Sequence, residues 1–199
     1  MLTRRTFVAA AAFAAAVSTS APRIAMADQA ALESFISSLS KQAITELSSA
    51  STDKERAAKL LPILQQYFDM PKLAKHTLGL YWKRATPDEQ QAYVEVFTEY
   101  MSAVYGKRFA EYSGQSLVVQ KVRESGETST VFTIVKGAEG EPRVDWDVNT
   151  SDGNKITDVR VEGLSLAETH RQEFASVISS NGGKVQALID ILKKKVASI

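Results

Sequence analysis

PRVDWDVNTSDGNKITDVRVE, the run from Pro142 to Glu162, decides how the chain folds. Val144, Trp146 and Val148 before Asp152-Gly153, and Val159 and Val161 after it, fall on alternate positions, the period of a half-buried strand and not of a helix. Pairing across that Asp-Gly turn sets Trp146 opposite Val159 and Val144 opposite Val161 on one face. Asp145 falls opposite Arg160 on the other. One face of this hairpin is therefore apolar, and the face carrying Asp145 and Asp147 is expected to meet water.

Upstream, Leu117–Arg123 and Thr128–Lys136 keep the same period and are rich in β-branched residues. With Pro142–Asn149 and Lys155–Glu162 they read as an antiparallel meander of four strands. On either side the period changes to that of helices. Leu32, Phe35, Ile36, Leu39, Ala43 and Leu47 mark a helix from about Asp28 to Ser49. Thr52 with Glu55 and Thr86 with Glu89 form capping boxes for two more, the first carrying Pro62, where a bend is expected. Asp69 and Pro71 open a short helix that Gly79 ends. The helix after Thr86 runs to about Tyr112 with Tyr93, Phe97, Met101, Val104 and Tyr105 along one side. Ser165 with Glu168 reads as a third capping box, and a last helix contains Val185, Leu188, Ile189 and Leu192. Helices segregated from an antiparallel sheet give an α+β fold, with the sheet packed against a mostly helical N-terminal half and two C-terminal helices.

Composition removes several functions. The 199 residues include no cysteine and two histidines, His76 and His170, so thiol nucleophiles, thiolate zinc sites and His-rich metal sites are excluded. A formal net charge of +1 gives no field that would track a phosphate backbone, so no nucleic-acid partner is expected. There is no nucleophile–base pair and no Gly-rich phosphate cradle, so the chain reads as no enzyme and as needing no cofactor.

The first 27 residues have the layout of an export signal. Arg4 and Arg5 precede an apolar run of 11 residues, Phe7 to Val17, and Ala25-Met26-Ala27 is a small-x-small cleavage site. That run is too short to cross a bilayer core of about 30 Å. Thr3-Arg4-Arg5-Thr6-Phe7 is similar to a twin-arginine signal, while the Ala-rich apolar run also suits the general secretory route. Residues 28–199 then form a single domain with 21 positive and 23 negative side chains.

Phe68-Asp69-Met70, the run TLGLYWKRATPDEQQAYVEVFTEYMSAVYGKRFAEYSGQ from Thr77 to Gln115, VDWDV, DVRVEGLSLAETHRQEF from Asp158 to Phe174, and the Gly182–Leu192 tail together resemble the MlaC family of periplasmic phospholipid-binding proteins. Proteins of that family are also described as toluene-tolerance auxiliary components of ABC transporters. His170 departs from the pattern, which often has an aromatic such as Tyr there. The resemblance implies a monomeric periplasmic shuttle with phospholipid as cargo. Its partners would be an outer-membrane lipoprotein-porin complex and the substrate-binding ring of an inner-membrane ABC transporter, and its work would maintain outer-membrane lipid asymmetry. It implies an apolar lipid cavity between sheet and helices, whose expected lining is Tyr81, Trp82, Tyr93, Phe97, Met101, Tyr105, Val144, Trp146, Val159 and Val161. Lys75, Lys83 and Arg84 are expected to form a partner-docking face near the cavity mouth. The alternatives are a carrier of hopanoids or other lipids, and a periplasmic adaptor or chaperone that binds protein.

The signal reading has a direct test. N-terminal sequencing of the exported protein should give Asp28 as the first residue. Replacing Arg4 and Arg5 by Lys should block export if the twin-arginine route is used and leave it intact on the secretory route.

Overall fold

The computed structural model describes residues 22–111, 114–151 and 153–199. Arg4, Arg5 and the Phe7–Val17 run, Tyr112 and the turn residue Asp152 lie outside the described residues. Helix α1 spans Pro22–Ser48, starting six residues before the expected Asp28. It is followed by α2 (Asp53–Tyr67), α3 (Met70–Leu78), a 3₁₀ turn (Gly79–Lys83) and α4 (Pro87–Arg108). A second 3₁₀ turn, Phe109–Glu111, replaces the expected last turn of α4. The strands are β1 (Ser116–Ser125), β2 (Thr128–Lys136), β3 (Arg143–Asn149), β4 (Lys155–Val161) and the short β5 (Leu164–Ser165), and α5 (Leu166–Ser180) and α6 (Val185–Ala197) close the chain.

The chain is α+β, with an antiparallel sheet in the order β1-β2-β3-β4-β5. One strand more than expected forms, because Gly163, at φ 83°, turns the chain back so that Leu164 and Ser165 pair with Val161 and Arg160. The β3–β4 register sets Trp146 against Val159, Val144 against Val161 and Asp145 against Arg160, as the alternation requires. A bulge between Asp147 and Val148 then brings Ile156 opposite Val148, so that both remain on the apolar face and both are fully buried.

The helix starts follow local hydrogen bonding. At Thr52 and at Thr86 the hydroxyl accepts from the N–H three residues on, and the glutamate there accepts from the cap N–H, so both capping boxes are complete. Ser165 corrects the third: its hydroxyl accepts from the Glu168 N–H, but the Glu168 carboxylate turns outward to Arg171 and Gln172. α2 runs unbroken through Pro62. Its end is stitched to the sheet, where Phe68 bridges Ile156 and the Asp69 N–H donates to the Ile156 carbonyl at 2.9 Å.

The described helices lie toward the apolar face of the sheet or against one another, and part of their core is a cluster of rings. Tyr93 stacks on Phe97 at 5.7 Å, and Phe174 of α5 meets Phe97 edge-on at 6.3 Å and Tyr93 at 6.4 Å. Each such pair adds about 0.5–1.5 kcal/mol beyond area burial. The opposite sheet face differs from expectation at one position. Asp147 is bound by Arg160 and Thr130 in a half-buried network, but Asp145 is 3% exposed, not solvated. Its strand neighbours Phe132 and Arg160 flank it, and Arg143 Nε lies 3.2 Å from its carboxylate.

At Gly106 α4 passes close to the backbone of α2. A Cβ there would lie 3.0 Å from the Ala57 nitrogen and 3.1 Å from the Arg56 carbonyl carbon, both backbone atoms that cannot rotate away. In an exposed helix Gly→Ala gains about 1 kcal/mol. At this position overpacking, typically about 1–3 kcal/mol, should outweigh that gain. Gly106→Ala is therefore expected to be destabilising, read as a lower midpoint in urea with an unchanged slope.

Candidate functional site

The inward faces of α1, α2, α4 and α5 do not close onto the sheet. They leave a cavity of about 510 Å³. From α1 come Leu39, Ala43, Ile44 and Leu47, and from α2 Leu60, Ile63 and Leu64, each set at the three- and four-residue steps that share one helix face. α4 contributes Phe97, Met101, Tyr105 and Arg108, the sheet Leu117, Val135, Trp146 and Val159, and α5 Leu166, Ala167 and His170. The Trp146 indole N–H donates to Thr133 Oγ1 at 3.1 Å, and that hydroxyl donates to the Val144 carbonyl at 2.6 Å. With its polar atom satisfied, the ring offers the cavity an apolar surface.

The lining is mostly apolar, and its polar members include Ser40, Arg108, Glu111, Gln115, Ser116, Asp158 and His170. Arg108, Glu111 and Ser116 are the lining residues that are exposed, so they mark the opening. Arg108 holds its guanidinium over the Tyr105 ring, 5.3 Å from the centroid. Tyr105 Oη lies 3.1 Å from His170 Nε2, and His170 Nδ1 lies 3.2 Å from a Glu173 carboxylate oxygen. A neutral imidazole satisfies both partners when Nδ1–H donates to Glu173 and Nε2 accepts from the tyrosine O–H. Burial holds the His170 pKa below its ordinary value, opposed in part by Glu173, and burial raises that of Tyr105. Asp158, also in the lining, uses Oδ1 to accept from the Val159 and Ala167 N–H groups and so caps the start of α5.

Of the ten residues expected to line a cavity, Phe97, Met101, Tyr105, Trp146 and Val159 do so. The other five are placed elsewhere. Tyr93 is fully buried in the ring cluster, its hydroxyl 2.8 Å from Thr77 Oγ1. Tyr81 and Trp82 sit in the 3₁₀ turn, Tyr81 beneath Arg84 and Trp82 in a separate cleft. Val144 and Val161 share the sheet face of Trp146 and Val159 but lie past the cavity, at the end where β4 turns into β5 and Val161 becomes 37% exposed. The α1 and α2 lining was not expected. Its helical periodicity is clear in the sequence, but periodicity marks a buried face without telling a filled core from a hollow one.

The expected docking set is also divided. Lys75 and Lys83 border the separate cleft with Lys72, His76 and Arg171, whereas Arg84 stacks on the Tyr81 ring at 5.5 Å. Nor do Lys83 and Arg84 stand near the mouth. Lys83 and Arg84 precede the first turn of α4 and Arg108 ends that helix, and 21 residues at 1.5 Å rise separate its ends by about 31 Å. Among the described residues no group of three or more His, Asp or Glu could hold a metal ion.

Comparison with known proteins agrees with this architecture. The family model described as MlaC protein matches residues 37–194. A curated relative, the toluene tolerance protein ttg2D of Pseudomonas putida, is 27% identical over 132 residues, 64% of this chain and 61% of its own length. The chain thus matches about three fifths of that relative. A phospholipid-binding protein from Ralstonia solanacearum, solved in complex with a phospholipid, has a similar fold, with a TM-score of 0.70 and 23% identity over 83% of this chain and 97% of its own.

The buried imidazole predicts a pH dependence. Because the folded-state pKa of His170 is depressed, the unfolded chain takes up this proton first as pH falls through about 6.5, and folding stability is lost over that range. Melting temperature measured from pH 7 to pH 5 should fall less steeply in His170→Phe than in the unaltered protein. Parallel slopes would mean that His170 is as readily protonated folded as unfolded.

Proposed function

The chain belongs to the MlaC family, and from that membership together with the hollow between sheet and helices we propose that it is a phospholipid carrier. The observation that carries this reading is the cavity's polarity: mostly aliphatic and aromatic walls, with charge confined to Arg108 and Glu111 at the opening and to Asp158 on the flank beside the neutral His170. Acyl chains lie between α1, α2 and α4, and the head group stays beside Arg108. Each methylene kept from water is worth about 0.8 kcal/mol, so for one chain of about 15 methylenes the cavity offsets roughly 12 kcal/mol that exposure between membranes would cost. Extraction of a lipid by such a site needs no covalent step.

In this reading residues 1–27 direct export, the mature protein works in the periplasm, and lipid passes between an outer-membrane lipoprotein-porin complex and the substrate-binding ring of an inner-membrane ABC transporter, which maintains outer-membrane lipid asymmetry. What supports this wider role is the family membership and the toluene-tolerance relative.

Native mass spectrometry of protein purified from cells tests the proposal. A bound mass of phospholipid size is expected. A fused-ring lipid would move the reading to hopanoid carriage, and no bound lipid would favour an adaptor. Val159→Trp places an indole into the hollow from the sheet wall and should lower lipid occupancy several-fold while leaving a cooperative melt, because a hollow accepts bulk that a filled core rejects. A variant that loses its fold while keeping its lipid ratio would show Val159 to be ordinary core.

A further inference from the structure

α3 and α5 have a second concave side, turned away from the cavity. Lys72, Lys75 and His76 of α3, Trp82 and Lys83 of the 3₁₀ turn and Arg171 of α5 border a cleft of about 420 Å³. The Nζ atoms of Lys72, Lys75 and Lys83 have no ion pair or hydrogen-bond partner among the described residues, and the acid at this site, Glu168, is shared between Arg171 at 3.1 Å and His76 at 3.5 Å. The cleft therefore keeps a cationic excess on a chain whose total charge is near zero. Gly79, at φ 56°, is part of its construction: a Cβ there would lie 3.0 Å from Arg171 Nε, so the glycine lets that side chain cross the end of α3. Beside the cleft, Leu80 is 78% exposed.

We propose that this cleft and Leu80 seat the protein on an anionic phospholipid bilayer, the cations taking phosphodiester head groups and Leu80 entering between them. Protein interfaces gather apolar side chains at the centre and charges at the rim. Here the order is reversed, with cations at the centre and a single protruding leucine beside them. That arrangement suits a lipid surface, where lysines near the head groups act additively, their stems and a tryptophan rest at the interface, and a short apolar side chain reaches the acyl boundary. The inference is independent of what the cavity holds.

Co-sedimentation of the purified protein with vesicles tests it. Binding is expected to an equimolar mixture of phosphatidylcholine and phosphatidylglycerol and not to phosphatidylcholine alone, and it should be lost on raising salt to about 0.5 M. Lys72→Glu with Lys83→Glu should weaken binding roughly tenfold or more. Leu80→Ser should weaken it less and leave the salt dependence in place. Val159→Trp, which narrows the cavity, should bind vesicles as the unaltered protein does. Unchanged melting curves establish that the cleft variants fold. Equal sedimentation with both vesicle types, or full binding by the folded double variant, overturns the proposal. So does binding of inorganic phosphate by a protein that no vesicle brings down, which would assign the cleft to a soluble anion. Absence of vesicle binding in a protein that still carries lipid by native mass spectrometry overturns this inference and leaves the carrier reading standing.

Discussion

The ring cluster of Tyr93, Phe97 and Phe174 is what allows the rest of the apolar side to stay open. A dry void of about 510 Å³, costed at roughly 24 cal/mol per Å³, would forfeit about 12 kcal/mol, as much as the whole net stability of an ordinary domain. The walls cannot be held by filling the space between them. They are held at its base, where Phe174 locks α5 to α4, the Tyr93 hydroxyl ties in Thr77 of α3, and Leu188 and Ile189 of α6 lie fully buried in the same core. Phe97 belongs to both regions, since it packs in the cluster and lines the hollow. Gly106 adds the second clamp by letting α2 close on α4.

From that base the cavity changes character along one face of one helix. Phe97, Met101, Tyr105 and Arg108 follow each other at helical steps, from a hydrocarbon ring through a thioether to a phenol and then a guanidinium. Each four-residue step advances about 6 Å. The polar end is ordered before any ligand arrives, because Arg108 rests on Tyr105, Tyr105 meets His170, and His170 meets Glu173. For the carrier proposed above, such a gradient would fix which way an amphiphile lies, since the wrong orientation would bury a head group among apolar side chains such as Ile63, Leu64 and Phe97.

How far the sequence speaks depends on the range of the force involved. The β3–β4 register is legible because one misplaced residue would turn Val144, Trp146 and Val159 to the wrong face. The bulge after Asp147 is not, since it follows from keeping both Val148 and Ile156 inside once the strands twist. Thr52 and Thr86 announce their helices by contacts three residues long, whereas at Ser165 two equally local partners, Arg171 and Gln172, compete with the cap for the Glu168 carboxylate, and His76, brought in by the fold, adds to them. Tyr93 and Phe97 look alike on the stripe of α4, and α3 and α5, far apart in sequence, decide that one is plugged and the other faces a hollow. Asp145 alternates like a surface residue and is covered by its cross-strand neighbours. Lys83 and Arg84 stand next to α4 in the chain, yet the length of that helix carries the mouth away from them.

The same reasoning explains why neighbouring letters serve different sites. Successive residues of a helix point about 100° apart, so Leu73 reaches the cavity while Lys72 borders the cleft, and His170 reaches the cavity while Arg171 borders the cleft. α3 and α5 are thus a shared wall with an apolar side and a cationic side. On the cationic side Glu168 of α5 lies 3.5 Å from His76 of α3, and on the other side Thr77 and Phe174 both engage Tyr93. The two linings share no residue, so a substitution inside one concavity changes no side chain of the other.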